Sequence, residues 1–394
     1  MVATTWHSGN LGDFLTLQRG YDLPNREREE GRVPIVSSSG VTGFHAVAKV
    51  KGPGVVTGRY GTLGDVFFVK EDFWPLNTTL YVKDFKGNDP LFLSYFLRTL
   101  NFASHNAAGA VPGLNRNALH LLPVHVPPLE TQRKIASILA AYDDLIENNT
   151  RRIKILEEMA QAIYREWFVN FRFPGHEKVR MVDSVLGRVP EGWEVKPVTE
   201  AVEVKPRTKV PKEGEKPFVP MGSLSNDSML ISNIEVKAGN SGSKFKNGDT
   251  LFARITPCLE NGKTGFVQFL PDEEATAFGS TEFIVLRSKS LCPEYVYLMA
   301  RSNEFRDNAI KSMSGATGRQ RVSEKCFERF LVAQADRGLL DVFQGHVAPL
   351  FQKVHVLARK NEKLRQTRDL LLPKLISGLV DTSELDIEEK EGAT

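Results

Sequence analysis

Cysteine is scarce and scattered: Cys258, Cys292 and Cys326 are the three in 394 residues. Their odd number and wide spacing support neither a disulfide framework nor a zinc site, and fit a reducing, cytoplasmic setting with all three buried and inert. No apolar run approaches the roughly 18 residues that a membrane span needs, and the opening MVATTWHSGNLGDFL has no apolar core behind a basic start. A membrane protein is therefore not expected. Charge of one sign is in short supply as well. With 51 basic against 48 acidic residues the net charge is +3, so any nucleic-acid-binding surface must be local.

The signatures of catalysis are also missing. There is no Walker phosphate loop and no Asn-Pro-Pro-aromatic phrase of an amino-methyltransferase, since Pro127-Pro128 stands in VPPLE. Gly58-x-x-Gly61-x-x-Gly64 is followed by no helical pattern, so it reads as tight turns between strands rather than a dinucleotide fingerprint. The eight histidines show no metal-ligand spacing, and His120 and His125 flank a strand-like stretch. Asp227 with Glu235-Val236-Lys237 imitates a nuclease metal cluster. However, Glu-Val-Lys recurs at Glu194 and Glu203, which marks a solvated strand pattern instead.

What the chain does have is itself, twice. Trp6 and Trp193 open similar phrases, 187 residues apart. Gly54 and Arg59 of GPGVVTGRYGTLGDVFFV match Gly248 and Arg254 of NGDTLFARITPCLENGKTGFVQF. PLFLSYFLRTLNF (90–102) matches PEYVYLMARSNEF (293–305), and GAVPGLNRNAL from Gly109 matches GATGRQRVSEK from Gly315, which pairs Arg116 with Arg321. The offset grows along the chain, as small insertions in a second copy produce.

Each copy ends in a long heptad pattern. The first runs through Ile135, Leu139, Tyr142, Ile146, Asn149, Ile153, Leu156, Ala160, Ile163 and Trp167. The second runs through Phe343, Val347, Leu350, Val354, Leu357, Asn361, Leu364, Arg368, Leu371 and Leu375. Alternating steps of four and three over four heptads predict a coiled coil, with the seam from Ile135 to Trp167 covering about 50 Å at ~1.5 Å per residue. Thr131 and Asp341 are candidate helix starts. Pro349 weakens the second start and moves its firm part to about residue 352, Pro373 kinks or ends that helix, and Gly378 stops it. Asn149 and Asn361 either fix the register against a polar partner or face solvent. Phe168, Phe171 and Phe173 either form an exposed apolar patch for a partner or cap the coil.

The segments before the helices are short runs rich in Val, Phe, Thr and Tyr between Gly, Pro and Asn, each with one helix, LFLSYFLRTL or EYVYLMARSNEFRDNAI. The fold class is therefore α+β. Two tandem β-rich domains (1–130 and 194–337) are separated by two long helices (131–172 and 338–380) packed as an antiparallel coiled coil, with an internal pseudo-twofold repeat. Residues 173–193 read as a linker and 381–394 as an acidic, disordered tail.

At this point the sequence resembles the specificity subunits of Type I restriction-modification enzymes. The phrase LLPVHVPPLETQRKIASILAAYDDLIENNTRRIKILEEMAQAIYREWF (121–168) carries most of the likeness, supported by 351–378 and by the strand phrases VVTGRYGTLGDVFFV and LFARITPCLENGKTGFV. The stretch before the second helix, FLVAQADRGLLDVFQGHV, lacks the Pro-Pro and Glu-Gln phrase of the first. The resemblance implies two target-recognition domains that read a split double-stranded DNA site. It also implies methyltransferase subunits carrying S-adenosylmethionine and ATP- and Mg-dependent motor-nuclease subunits as partners, with no cofactor and no catalysis in this chain. The alternative is a free-standing pseudo-dimeric DNA-binding or scaffold protein.

Base edges are read by Arg, Asn, Gln, Ser, Thr and Glu, whereas phosphates take cations, hydroxyls and backbone N–H groups. The candidates in the first domain are Ser38 and Thr42 of SSSGVTG, Arg59, Tyr60 and Thr62, Asn77 and Thr78, and Asn115, Arg116 and Asn117. In the second they are Arg254, Thr256, Lys263, Thr281 within Ser280–Glu282, and Arg319, Gln320 and Arg321, with Lys209 in the basic run 204–216 for phosphates. Each could instead be a solvated turn residue.

Overall fold

The structure, a computed structural model, describes residues 6–100, 102, 113–316, 318–382 and 385. Gly109 to Pro112 of the first glycine phrase and nearly all of the acidic tail lie outside them. The chain forms two compact units, Met1–Ile146 with Lys363–Thr394, and Glu147–Glu362.

In the first unit GVVTG is wholly buried and forms the strand Gly54–Gly58. It lies in a four-stranded antiparallel sheet ordered Thr16–Arg19, Thr79–Asp84, Gly54–Gly58, Val66–Val69. A smaller sheet joins Gly40–His45, Val33–Ser37 and Trp74–Pro75, the last two parallel. The helix Pro90–Thr99 starts where Asp89 accepts a hydrogen bond from Phe92 N and Pro90 fills the first position. His7–Asn10 pairs with Pro123–Val126 and closes the unit.

The second unit repeats this order. Its larger sheet runs Val202–Val204, Phe283–Ser288, Thr250–Ala253, Thr264–Phe266. Its smaller sheet joins Glu235–Ala238, Glu215–Val219 and Thr276–Gly279 with the same parallel pair, and adds Ser243–Lys246 where the first unit has only the Val50–Phe73 bridge. Glu194–Pro197 closes on Leu331–Gln334. The repeat corrects one sequence match. Leu114 N donates to Arg59 O at 3.0 Å and Val322 N to Arg254 O at 2.9 Å, so Leu114 corresponds to Val322. Arg116 therefore matches Glu324, and Arg321 matches Gly113. Identity of glycine and arginine misplaces the gap in GATGRQRVSEK, because backbone pairing sets the register.

The long helices span Leu129–Tyr164, followed by one π turn at Arg165–Val169, and Arg337–Ile376. The first opens two residues before Thr131. The second runs through both Pro349 and Pro373, contrary to the expected late start and early end. Each proline removes one backbone donor, but Phe343, Val347, Phe351 and Val354 are fully buried around the first and Leu375 beyond the second, and that packing holds the helix. Gly378, at φ +75°, terminates it beside Trp6.

The seam is antiparallel within each unit. In the second, Asn149 meets Asn361 and Trp167 packs on Phe343 at 5.8 Å, so one helix rises as the other falls. In the first, Ile135 and Leu139 share a core with Leu375, and Asp143 pairs with Arg368. Ile146, Ile153, Val354 and Leu357 are buried, while Tyr142, Leu156, Ile163, Leu364 and Leu371 are half-buried, as the flank of a two-helix seam requires.

Four other expectations change. Phe168 and Phe173 are not an exposed patch: both are buried, Phe168 capping the coil against Tyr295 at 4.6 Å and Phe343 at 4.8 Å, and Phe173 stacking on Trp193 at 5.2 Å. The stretch 173–193 carries a hairpin, Met181–Ser184 with Gly187–Pro190. EYVYLMARSNEFRDNAI is two helices, Pro293–Arg301 and Asn303–Lys311, because Ser302 is extended and caps the second through Phe305 N. Cys292 is buried and its thiol is pushed up to about 12 by burial, whereas Cys258 and Cys326 are half-buried.

Candidate nucleic-acid interface

In the first unit the candidate loops converge at one end of the large sheet. The strand Gly54–Gly58 ends where Arg59 N and Tyr60 N both donate to Thr78 O, at 2.8 and 3.2 Å. Tyr60 bridges Gly113, and a Cβ on Gly113 would lie 2.5 Å from the Tyr60 ring, so only glycine fits beneath it. The Arg59 guanidinium stacks on that ring at 4.5 Å. Ser38, in the turn between Val33–Ser37 and Gly40–His45, reaches the same loop: a Cβ at Gly61 would stand 3.3 Å from its Oγ. Thr62 and Thr42 are exposed, Thr42 on the neighbouring strand. Asn115 caps the helix Arg116–His120 by accepting from Asn117 N, which leaves the exposed Arg116 on its first turn. Asn77 donates its amide to Asp22.

The equivalent end of the second unit is built differently. Arg254 N donates to Glu282 O at 3.0 Å, as Arg59 N does to Thr78 O, so Glu282 stands at the Thr78 position. The side chain of Arg254 does not project as a reader. Its Nη1 pairs with Glu324 at 3.1 Å and its Nη2 donates to Val322 O at 3.3 Å. Lys263 likewise turns inward to Met221 O at 3.2 Å. Thr256 is bound twice to Gln320, its Oγ accepting from Gln320 N and its N donating to Gln320 O, both at 3.1 Å. What projects is Arg321, with the exposed Arg319 two residues before it and the exposed Thr281 next to its partner Glu282. Lys205 also pairs with Glu324.

Lys209 is itself exposed, on a stretch that a buried ion pair anchors. Asp249 is 1% exposed and accepts from Arg287 Nε and Nη2, both at 2.7 Å. Arg287 Nη2 also donates to Thr208 Oγ at 2.9 Å, so the pair holds the residue next to Lys209. Burial pushes the Asp249 carboxyl up despite the guanidinium beside it.

Sequence reasoning missed Glu282 as a partner of Arg321, and missed Gln132. The latter donates to Pro127 O at 2.8 Å and Asn88 Oδ1 at 2.7 Å, and accepts from Asp89 N at 2.9 Å, joining the first turn of one helix to the cap of another. Its place in PPLETQ was the available signal. Among the described residues no group of His, Cys, Asp and Glu could hold a metal, and no helix is long and apolar enough to cross a membrane.

Residues 4–158 match the Type I restriction modification DNA specificity domain. The MjaIX Type I restriction enzyme specificity subunit of Methanocaldococcus jannaschii is 25% identical over 310 residues, spanning 75% of this chain and 70% of that protein. The EcoEI specificity subunit of Escherichia coli is 33% identical over 211 residues, 50% of this chain and 34% of that one. A solved S subunit of a Type I restriction-modification system from M. genitalium aligns with a TM-score of 0.61 over 95% of this chain and 97% of its own, at 16% identity, a likeness of fold.

Proposed function

We propose that this chain is a Type I restriction-modification specificity subunit, on the match of residues 4–158 and the likeness to the MjaIX specificity subunit, and that it reads double-stranded DNA as two separate blocks with an unread spacer. Each unit reads one block. The observation that carries this reading is that one topology, used twice, ends in the same loop positions with different side chains. Arg59 on Tyr60 with Gly113 stands in one copy, and Glu282 with Arg321 in the other. Identical ends would suit a palindrome; unlike ends suit two unlike blocks.

The exposed Lys209 supplies a phosphate contact, which positions without specifying. The methyl transfer and the ATP-driven cleavage belong to partner subunits that assemble on this chain and bring S-adenosylmethionine, ATP and Mg. The test is a methylation map of cells that make the chain with its partner subunits, against cells lacking it. A split, asymmetric methylated motif that vanishes with the chain is expected. A motif unchanged by its loss, or a single palindromic block, would refute the reading.

A further inference from the structure

The two units present their guanidinium groups from different backbone positions. In the first, Arg59 lies on Tyr60 over Gly113. In the second the matching Arg254 is tied to Glu324 and Val322 O, and the position opposite, where the first unit has Gly113, is filled by Arg321.

Arg321 is fixed from three directions. Its N donates to Ser314 O at 2.9 Å, and its O accepts from Ser314 N at 3.1 Å. Its Nε and Nη2 donate to the two Glu282 carboxylate oxygens at 2.9 and 2.7 Å. Glu282 is itself held, because its carbonyl accepts from Arg254 N and the strand Phe283–Ser288 begins at the next residue. The fork engages one edge of the guanidinium. The opposite edge, Nη1 with the second Nη2 proton, makes no hydrogen bond among the described residues, and the side chain is 48% exposed.

We infer that Glu282 is a positioning residue that aims the free edge of Arg321 at a guanine in the block read by the second unit. The inference rests on the DNA reading proposed above and names the base. Two parallel N–H groups match two acceptors side by side, and in the major groove only guanine offers them, as O6 and N7; adenine pairs its acceptor with a donor. A guanidinium already held in place loses less rotamer freedom on binding. The guanidinium keeps the Glu282 carboxyl below its usual range, so the pair is charged at neutral pH and nearly neutral as a unit. Its contribution is therefore to the choice of base more than to attraction for phosphate.

The experiment selects and sequences binders from a pool of duplex DNA with randomised positions, using the full chain as wild type, Glu282→Gln, Arg321→Ala and Arg321→Lys. Wild type should enrich guanine at one position of one block. Glu282→Gln should lower that preference by about tenfold, the lower end of what one bidentate contact contributes, with the other block and the melting temperature unchanged. Arg321→Lys should lose the preference while keeping the salt dependence of binding; Arg321→Ala should lose it too. A Glu282→Gln chain with undiminished guanine preference overturns the inference. So does an Arg321→Ala chain that weakens binding equally on every sequence with a shallower salt slope, because that marks a phosphate contact. A wild-type chain that enriches no sequence overturns the DNA reading itself.

Discussion

Asn149 and Asn361 meet inside the second unit, Asn149 Nδ2 donating to Asn361 Oδ1 at 2.9 Å, with both side chains buried. Asn361 Nδ2 in turn donates to Thr150 Oγ at 3.2 Å. A buried amide in an apolar seam is tolerated only opposite another polar group, so the pair favours one register over its neighbours.

Replacing Asn149 by Leu should destabilise the chain by about 1–3 kcal/mol, since it takes the donor from a buried carbonyl oxygen. Replacing Asn149 and Asn361 together by Leu should restore most of that, at the expense of register. Urea unfolding of both variants checks it. A double variant as unstable as the two single losses added would contradict the pairing.

Arg287→Met leaves the carboxylate of Asp249 buried without its main partner, and should cost about 3–5 kcal/mol at neutral pH. The pH dependence has a definite sign. Burial already raises the Asp249 carboxyl, and loss of the guanidinium raises it further. A carboxyl raised in the folded state binds protons that the unfolded chain has released, so stability falls as pH rises from the unfolded value through the folded one. The variant should therefore be least impaired in acid, below the ordinary aspartate range, and most impaired near neutrality. Unfolding measured across that range tests it, and a penalty that grows toward acid pH would refute the account.

Arg59 and Arg254 occupy matching positions but should fail differently. Arg59→Ala should weaken DNA binding by about 1–3 kcal/mol and leave unfolding unchanged. Arg254→Ala should lower stability by about 1–3 kcal/mol, because Glu324 and Val322 O lose a charged donor. Paired binding and melting curves separate the two. Equal effects of both substitutions on binding, with no loss of stability, would return Arg254 to the reading surface.

The repeat, the two long helices and the antiparallel seam were legible because heptads and duplicated phrases are periodic, and period survives without a structure. Pro349 and Pro373 misled because local propensity counts a lost hydrogen bond but not the aromatic packing around it. Phe168 reads as exposed for a similar reason: Tyr295 and Phe343, which cover it, are more than 120 and 170 residues away in sequence. At the candidate interface, residue type picked out Arg59, Tyr60, Thr78 and Arg321. It could not separate Arg321, half exposed on a carboxylate, from Arg254, consumed by one. That distinction depends on which acidic side chain lies within reach, and no spacing rule encodes it.

The central claim, that each unit reads its own block, is tested most directly by exchange. Residues 194–337 would be replaced by the corresponding segment of a Type I specificity subunit with a known motif, and the methylated motif mapped in cells making the chimera with the partner subunits. The account predicts that one block changes to that of the donor while the other stays as it was. A chimera that methylates DNA with both blocks altered, or with neither, would contradict it.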